Sequence, residues 1–275
     1  MSFPSNFGFI QGRLSEQVDG KIQAFPARYW RDEFKVAHRM GLSLMEWTLD
    51  YENLYSNPFM TKTGQAEILD LCEEFSLSIP SLTGDCFMQA PFYKYEGAKK
   101  NDLEKIFIDV AAACDTLNVD YIVFPLVDNG SLTSIEMEDE FIEKMISFYQ
   151  KYKFKVKTVF ESDYTPNELK RFIDRLPDSF GINYDTGNSA ALGYKPNEEF
   201  ASYGKRILNI HIKDRVLNGT TVPLGQGDTD FNQISKEIKT LDYKGNFIFQ
   251  TARSKDGNHE SVLRQYCEFI KEVLA

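Results

Sequence analysis

Four polar residues close four successive β-type runs and could together hold a divalent cation. Val156–Glu161 ends in a carboxylate and Gly181–Asp185 in a second; Leu208–Asp214 carries His211, and Phe247–Gln250 ends in an amide. Carboxylate and amide oxygens with one imidazole nitrogen form a mixed ligand set suited to a single Mn2+, Co2+, Mg2+ or Zn2+ ion. Side chains alternate along a strand, so Asn209, His211 and Lys213 share one face and Leu208, Ile210 and Ile212 the other. The apolar face must meet helices, which leaves the polar face to open into a common mouth. Taken singly, a strand-end carboxylate is most often a helix cap, and a histidine in an apolar strand a satisfied core residue. Four such positions on successive runs point to one site, with Glu161, Asp185, His211 and Gln250 as its ligands.

The elements that must carry these residues alternate regularly. Strands are expected at Phe7–Gln11, Leu44–Trp47, Ser78–Leu82, Tyr121–Pro125, Lys155–Glu161, Gly181–Asp185, Ile207–Lys213 and Asn246–Thr251. Helical spacing appears between them, as in Leu103, Phe107, Val110, Cys114 and Leu117. Thr165, Pro166 and Glu168 mark a helix start with a capping box. Further helices fit Asp32–Met40, Lys62–Phe75, Met137–Tyr152, Glu198–Tyr203, Asn232–Thr240 and the C-terminal run from Val262 to Val273. Strand-then-helix repeated around a 275-residue chain predicts an α/β fold, a (β/α)8 TIM barrel forming one domain over residues 1–275. The rival, an open doubly wound sheet, expects a G-x-G-x-x-G turn after its first strand. Gly8-Phe9-Ile10-Gln11-Gly12-Arg13 lacks that spacing, and no Pro-, Gly- or Ser-rich linker divides the chain.

Composition removes several classes of function. Acidic residues number 41 against 31 basic, a net charge of −10, and no Lys/Arg run builds a basic groove, so no nucleic-acid partner is expected. The cysteines at 72, 86, 114 and 267 have no metal-site spacing and read as small buried hydrophobes. No run is long and apolar enough to span a membrane, and Met1–Asn6 lacks the basic start of a leader, so the cytoplasm is the expected compartment.

Phe160-Glu161, Asp185-Thr186-Gly187-Asn188, His211-Ile212-Lys213-Asp214 and Val222-Pro223-Leu224-Gly225-Gln226-Gly227-Asp228 resemble the xylose isomerase-like barrels, the sugar phosphate isomerase/epimerase family. The resemblance covers nearly the whole chain, and its most specific part is the His-x-Lys-Asp strand followed by the Pro-x-Gly-x-Gly-Asp loop. It implies one divalent ion on Glu161, Asp185 and His211. Its fourth position, a glutamate in the family, is Gln250 here, which can offer a metal an oxygen but cannot act as a base. Asn188 stands where relatives often carry a histidine. The implied activity is isomerisation or epimerisation of a small sugar or sugar phosphate through an enediolate, with a homodimer or homotetramer as the assembly to look for. Glu161 is the expected base, and Glu46, Asp85, Asp128 and Lys213 are the candidates for a second proton carrier. Asn188, Asp85, Asp128 and the arginines Arg13, Arg215 and Arg253 are the candidates for holding substrate, the arginines by clamping a phosphate or carboxylate. Phe9, Trp30, Trp47 and Phe87 are candidates for an apolar wall against a sugar face. Because Gln250 removes one carboxylate, a metal-dependent dehydratase and a non-catalytic sugar-binding barrel are the alternatives.

Overall fold

Runs rich in β-branched and aromatic residues form the eight strands of a closed parallel barrel in the computed structural model, which describes residues 3–275. Met1 and Ser2, the start of the segment read as lacking a leader, lie outside the described residues. The strands are β1 (Phe7–Ile10), β2 (Leu44–Thr48), β3 (Ser78–Thr83), β4 (Tyr121–Leu126), β5 (Lys157–Ser162), β6 (Phe180–Asp185), β7 (Ile207–Ile212) and β8 (Asn246–Phe249). Each pairs with its sequence neighbours, and Phe7 opposite Phe247 closes β1 on β8. Among the described residues ten helices follow: α1 (Trp30–Met40), α2 (Lys62–Phe75), α3 (Asp85–Gln89), α4 (Gly97–Thr116), α5 (Ile135–Tyr152), α6 (Pro166–Ile173), α7 (Thr186–Leu192), α8 (Pro196–Tyr203), α9 (Phe231–Leu241) and α10 (His259–Leu274). The single-domain barrel is therefore the fold read from the sequence. No helix among the described residues is long and apolar enough to cross a membrane.

Alternation along the strands sorts core from site. On β5, Phe160 points outward into an aromatic layer with Phe124, Phe141, Phe172 and Phe180, while Glu161 points into the barrel. Phe124 also stacks on Phe87 at 4.7 Å between ring centroids. This layer fixes the outer side of β4–β6, so the inward residues stand on a stiff wall. Phe9, Trp30, Trp47 and Phe87 are all core residues, at most 3% exposed. They do not form the sugar-facing wall expected of them, because they are packed into the core, Trp47 against Trp30 and Phe59 and Phe87 against Phe107 and Phe124. The capping box at Thr165 and Glu168 is present at the start of α6.

Three elements escaped the sequence pattern. The helices α3 and α7 have 5 and 7 residues, too few for a helical period to show. A two-stranded antiparallel ribbon, Asp214–Arg215 with Thr221–Val222, follows β7. Asp214 pins the glycine loop beyond it, accepting from the N–H groups of Gly225, Gly227 and Thr229.

Candidate metal centre

The C-terminal halves of β5, β6 and β7 bring Glu161, Asp185 and His211 together. One ligand atom from each lies within 4.8 Å of the others, and all three residues are buried. Asp185 reaches this position because it also caps α7: its Oδ1 accepts from the N–H groups of Gly187 (3.0 Å) and Asn188 (2.8 Å). Oδ2 is thereby turned away from the helix and has no aligned hydrogen bond, although Lys213 Nζ lies 2.7 Å away as an ion pair. Gly187 is required here, since a Cβ on it would come within 2.8 Å of the Lys213 side chain.

His211 is fully buried and points across the barrel, its Nε2 2.8 Å from Glu46 Oε1. That contact leaves Nδ1 to face the cluster, 3.3 Å from Glu161 Oε2 and 4.0 Å from Asp185 Oδ2, without a hydrogen bond of its own. Glu161 is held by two amides. Asn183 Nδ2 donates to its Oε2 (2.8 Å) and Asn188 Nδ2 to its Oε1 (2.7 Å). A row of side chains ties the cluster together from below: Asn209 donates to Asn183 (2.8 Å) and to Glu46 (3.2 Å).

The electrostatics ask for a positive charge at this point. Burial pulls the His211 imidazole down, but the carboxylates of Glu46 and Glu161 outweigh it and push it up to about 10. Burial pushes the Glu161 carboxyl up, yet His211 and the Lys213 ammonium hold it below its ordinary value. Glu46 behaves alike: burial pushes it up, and His211 with the hydroxyls of Ser81 and Thr83 holds it below its usual range. Two acids thus flank the two nitrogens of one imidazole, Glu46 at Nε2 and Glu161 at Nδ1, an arrangement that favours a positive charge there. Asp185 Oδ2, His211 Nδ1 and Gln250 Oε1 are all buried without a hydrogen bond, a state that costs ~1–3 kcal/mol for a polar atom with no compensating partner, and only Asp185 Oδ2 has an ion pair, to Lys213, to offset it. Oxygen, nitrogen and oxygen donors of this kind fit a divalent ion.

The other expected site residues divide into those that face the mouth and those that do not. Gln250 follows β8 and is half-buried; its neighbour in the β7 register is Lys213, two residues beyond the Ile248–His211 pair. Asp85 begins α3 and is half-buried. Burial, with the charges of Asp50 and Glu161, pushes its carboxyl up to about 7. Arg13 and Arg253 leave β1 and β8 beside each other, Arg13 donating to the Thr251 carbonyl (2.9 Å) and Arg253 to that of Ser15 (3.0 Å).

Three expectations need correction. Glu46 does not face a substrate: it is 0% exposed, in mid-strand rather than at the strand end, and fully engaged by His211, Ser81, Thr83 and Asn209. Arg215 is not a free clamp, because Nε and Nη2 donate to the Gly219 carbonyl and Nη1 to Asn188 Oδ1 (2.8 Å). Asp128 is exposed on a turn at φ 50 and makes no side-chain hydrogen bond with the cluster. The sequence reading missed Asn183, Ser81 and Thr83. Asn183 had a signal, since it stands two residues before Asp185 and therefore on the same strand face.

Comparison with known proteins agrees with this geometry. A family model described as xylose isomerase-like TIM barrel matches residues 34–273. The chain is 23% identical over 256 residues to a Haemophilus influenzae protein named as an L-ribulose-5-phosphate 3-epimerase, SgbU, covering 85% of this chain and 87% of that one. It superposes on a D-allulose 3-epimerase from Methylomonas sp. in complex with D-allulose at a TM-score of 0.74, with 18% identity over 99% of each chain. It likewise matches the IolI protein with a zinc atom at a TM-score of 0.76, with 15% identity over 98% of each chain.

Proposed function

Because the chain belongs to the xylose isomerase-like TIM barrel family, we propose that it is a divalent-metal-dependent isomerase or epimerase of a small sugar or sugar phosphate. The observation that carries this reading is the convergence of Asp185 Oδ2, His211 Nδ1 and the Glu161 carboxylate within 4.8 Å. The names of the relatives, sugar epimerases and a zinc-holding barrel, support it. Glu161, Asp185 and His211 would hold the ion, with the Gln250 oxygen as the fourth donor. When bound, such an ion would supply a Lewis acid that makes a neighbouring substrate C–H more acidic.

The chain's own residues then move the protons. Glu161 is the base, with its carboxylate aimed by Asn183 and Asn188. Lys213 offsets the second carboxylate of the cup through Asp185. Glu46 is a positioning residue: it takes Nε2 of His211 and so leaves Nδ1 for the ion. Arg215 acts through Asn188 and keeps that amide on Glu161. Asp85 is the second proton carrier, since a carboxyl poised near neutrality both gives and takes a proton. Gln250 favours a second reading, a dehydratase needing one strong base, and loss of water from the product distinguishes it.

Bound-metal content by mass spectrometry tests the core of the proposal. Near-stoichiometric Mn, Co, Mg or Zn is expected in the intact protein and none in Asp185→Ala or His211→Ala. Loaded protein is then expected to wash deuterium from D2O into a sugar substrate. Absence of any affinity for these ions would sink the metal mechanism; metal binding without exchange across ketoses, aldoses and their phosphates would leave a binding protein.

A further inference from the structure

The β8–β1 side of the mouth holds buried donors that the metal centre does not use, and we propose that Arg13 and Arg253 form an oxyanion subsite for the substrate's phosphate or carboxylate. The subsite deepens the sugar reading of the same mouth and rests on it for the identity of the ligand, though not for its own existence.

The loops beyond β1 and β8 create the pair, since Arg13 Nε reaches the Thr251 carbonyl (2.9 Å) two residues before Arg253 and the charge of Arg253 acts on Arg13. Gly12 lets them approach, because it adopts φ +89 and a Cβ on it would come 3.1 Å from Arg253 Nη2. Backbone carbonyls hold both guanidiniums in place: Thr251 and Ile22 accept from Arg13, and Ser15 accepts from Arg253. Carbonyls orient a cation without neutralising it. Among the described residues neither arginine forms an ion pair with a carboxylate.

Glu33 and Asp85 both act on Arg13 without an ion pair to it, and Glu33 is already used. Glu33 accepts from the N–H groups of Gly12 and Leu14 and from the Ser15 hydroxyl, which fixes the loop after β1 around it. Arg13 is only 5% exposed; burial and the charge of Arg253 pull its guanidinium down to about 9. A further donor of the pair, Arg253 Nε, is buried without any partner. Like charges held together by backbone, with a spare donor among them, make a socket that lacks an anion. Its chemistry fits a group with several acceptor oxygens. Its place, with Arg253 three residues beyond Gln250 in the chain, puts that group on the same mouth as the cation cup.

Calorimetric titration of the full-length protein tests this with inorganic phosphate, D-glucuronate and neutral D-glucose. Inorganic phosphate, glucuronate or both should bind while glucose binds at least about tenfold more weakly, and which anion prevails identifies phosphate or carboxylate as the substituent. Arg253→Gln should weaken anion binding by about tenfold or more while bound-metal content stays unchanged. Arg13→Gln should do the same; if it fails to fold, Arg253→Gln carries the test, its side chain being only partly buried. Asp185→Ala should lose metal and keep the anion, so a failed metal centre and a failed subsite give different results. The proposal is overturned if neither anion binds the intact protein at about 10 mM, or if binding survives Arg253→Gln undiminished.

Discussion

On the β5–β7 side of the mouth two carboxylates face one imidazole, and the group they lack is a cation; on the β8–β1 side an amide and two guanidiniums face the same opening, and the group they lack is an anion. The means of support differ as well. The acids of the cup are held by side-chain amides and by Glu46, a layered network inside the barrel. The arginines are held by main-chain carbonyls of loops that run beyond the strands. The difference teaches that a single substrate with a chelating end and an anionic end would be oriented by charge alone, before any contact with its hydroxyls. Gln250 sits on the border. As a glutamate it would extend the acidic side toward Arg253; as an amide it leaves the two sides distinct.

Breaking the acidic side at its base should have the largest effect. Glu161→Gln is expected to lower kcat by roughly 10^2–10^4-fold, read by deuterium wash-in, while metal content falls much less than in Asp185→Ala. Next comes the support beneath it. Glu46→Gln should weaken metal affinity by about 10–100-fold, read by competition with a chelating dye, because an amide can donate to Nε2 and turn the imidazole to the wrong tautomer. Activity at saturating metal should largely return in this variant, which a residue touching substrate would not allow. Erasing the border is a smaller change. Gln250→Glu should raise metal affinity by about tenfold through one more carboxylate and weaken the binding of inorganic phosphate.

The smallest expected effect concerns Asp85. Its folded value is raised by burial and by Asp50 and Glu161 to about 7, above that of an unfolded aspartate. A raised acid favours the folded state fully below the unfolded value, and that contribution is lost as pH rises toward 7. In the metal-free protein Asp85→Asn should therefore raise Tm at pH 8 by ~2–4 °C, about 1 kcal/mol for a chain of this size, and change it little at pH 4. An equal gain at both pH values would show that the carboxyl is not held in its neutral form.

Much of the barrel was legible because its signals are local. Each strand is a short apolar run with an alternation that survives without any knowledge of its partners, as β6 shows in ending on Asp185. The cup was legible for the same reason: its residues end strands, and strand ends share one rim. Glu46 was misread because strand length, not residue type, sets depth in the barrel, and its two layers of neighbours come from β3 and β7. Arg215 was misread because nothing local tells that the ribbon after β7 turns the Gly219 carbonyl back onto its guanidinium. Glu33 carried an overlooked signal, a charge on the apolar face of α1 beside Trp30, Phe34 and Ala37.

The contact between His211 and Glu46 joins residues 165 apart in the chain, and the bond from Asn209 to Glu46 spans 163. Contacts of that separation need β1 and β2 to have met β7 and β8, so they belong to the closed ring and to no part of it alone. Until then Glu161 and Asp185 exist as neighbours on β5 and β6, but the imidazole between them has no fixed tautomer. On the proposed metal mechanism, affinity for the ion would be a property of the finished ring, and the ion a clasp on it. Bound at 100 times its dissociation constant, such an ion would add ~2.7 kcal/mol to the closed form, so removing the metal would loosen the barrel as well as stop the proposed turnover.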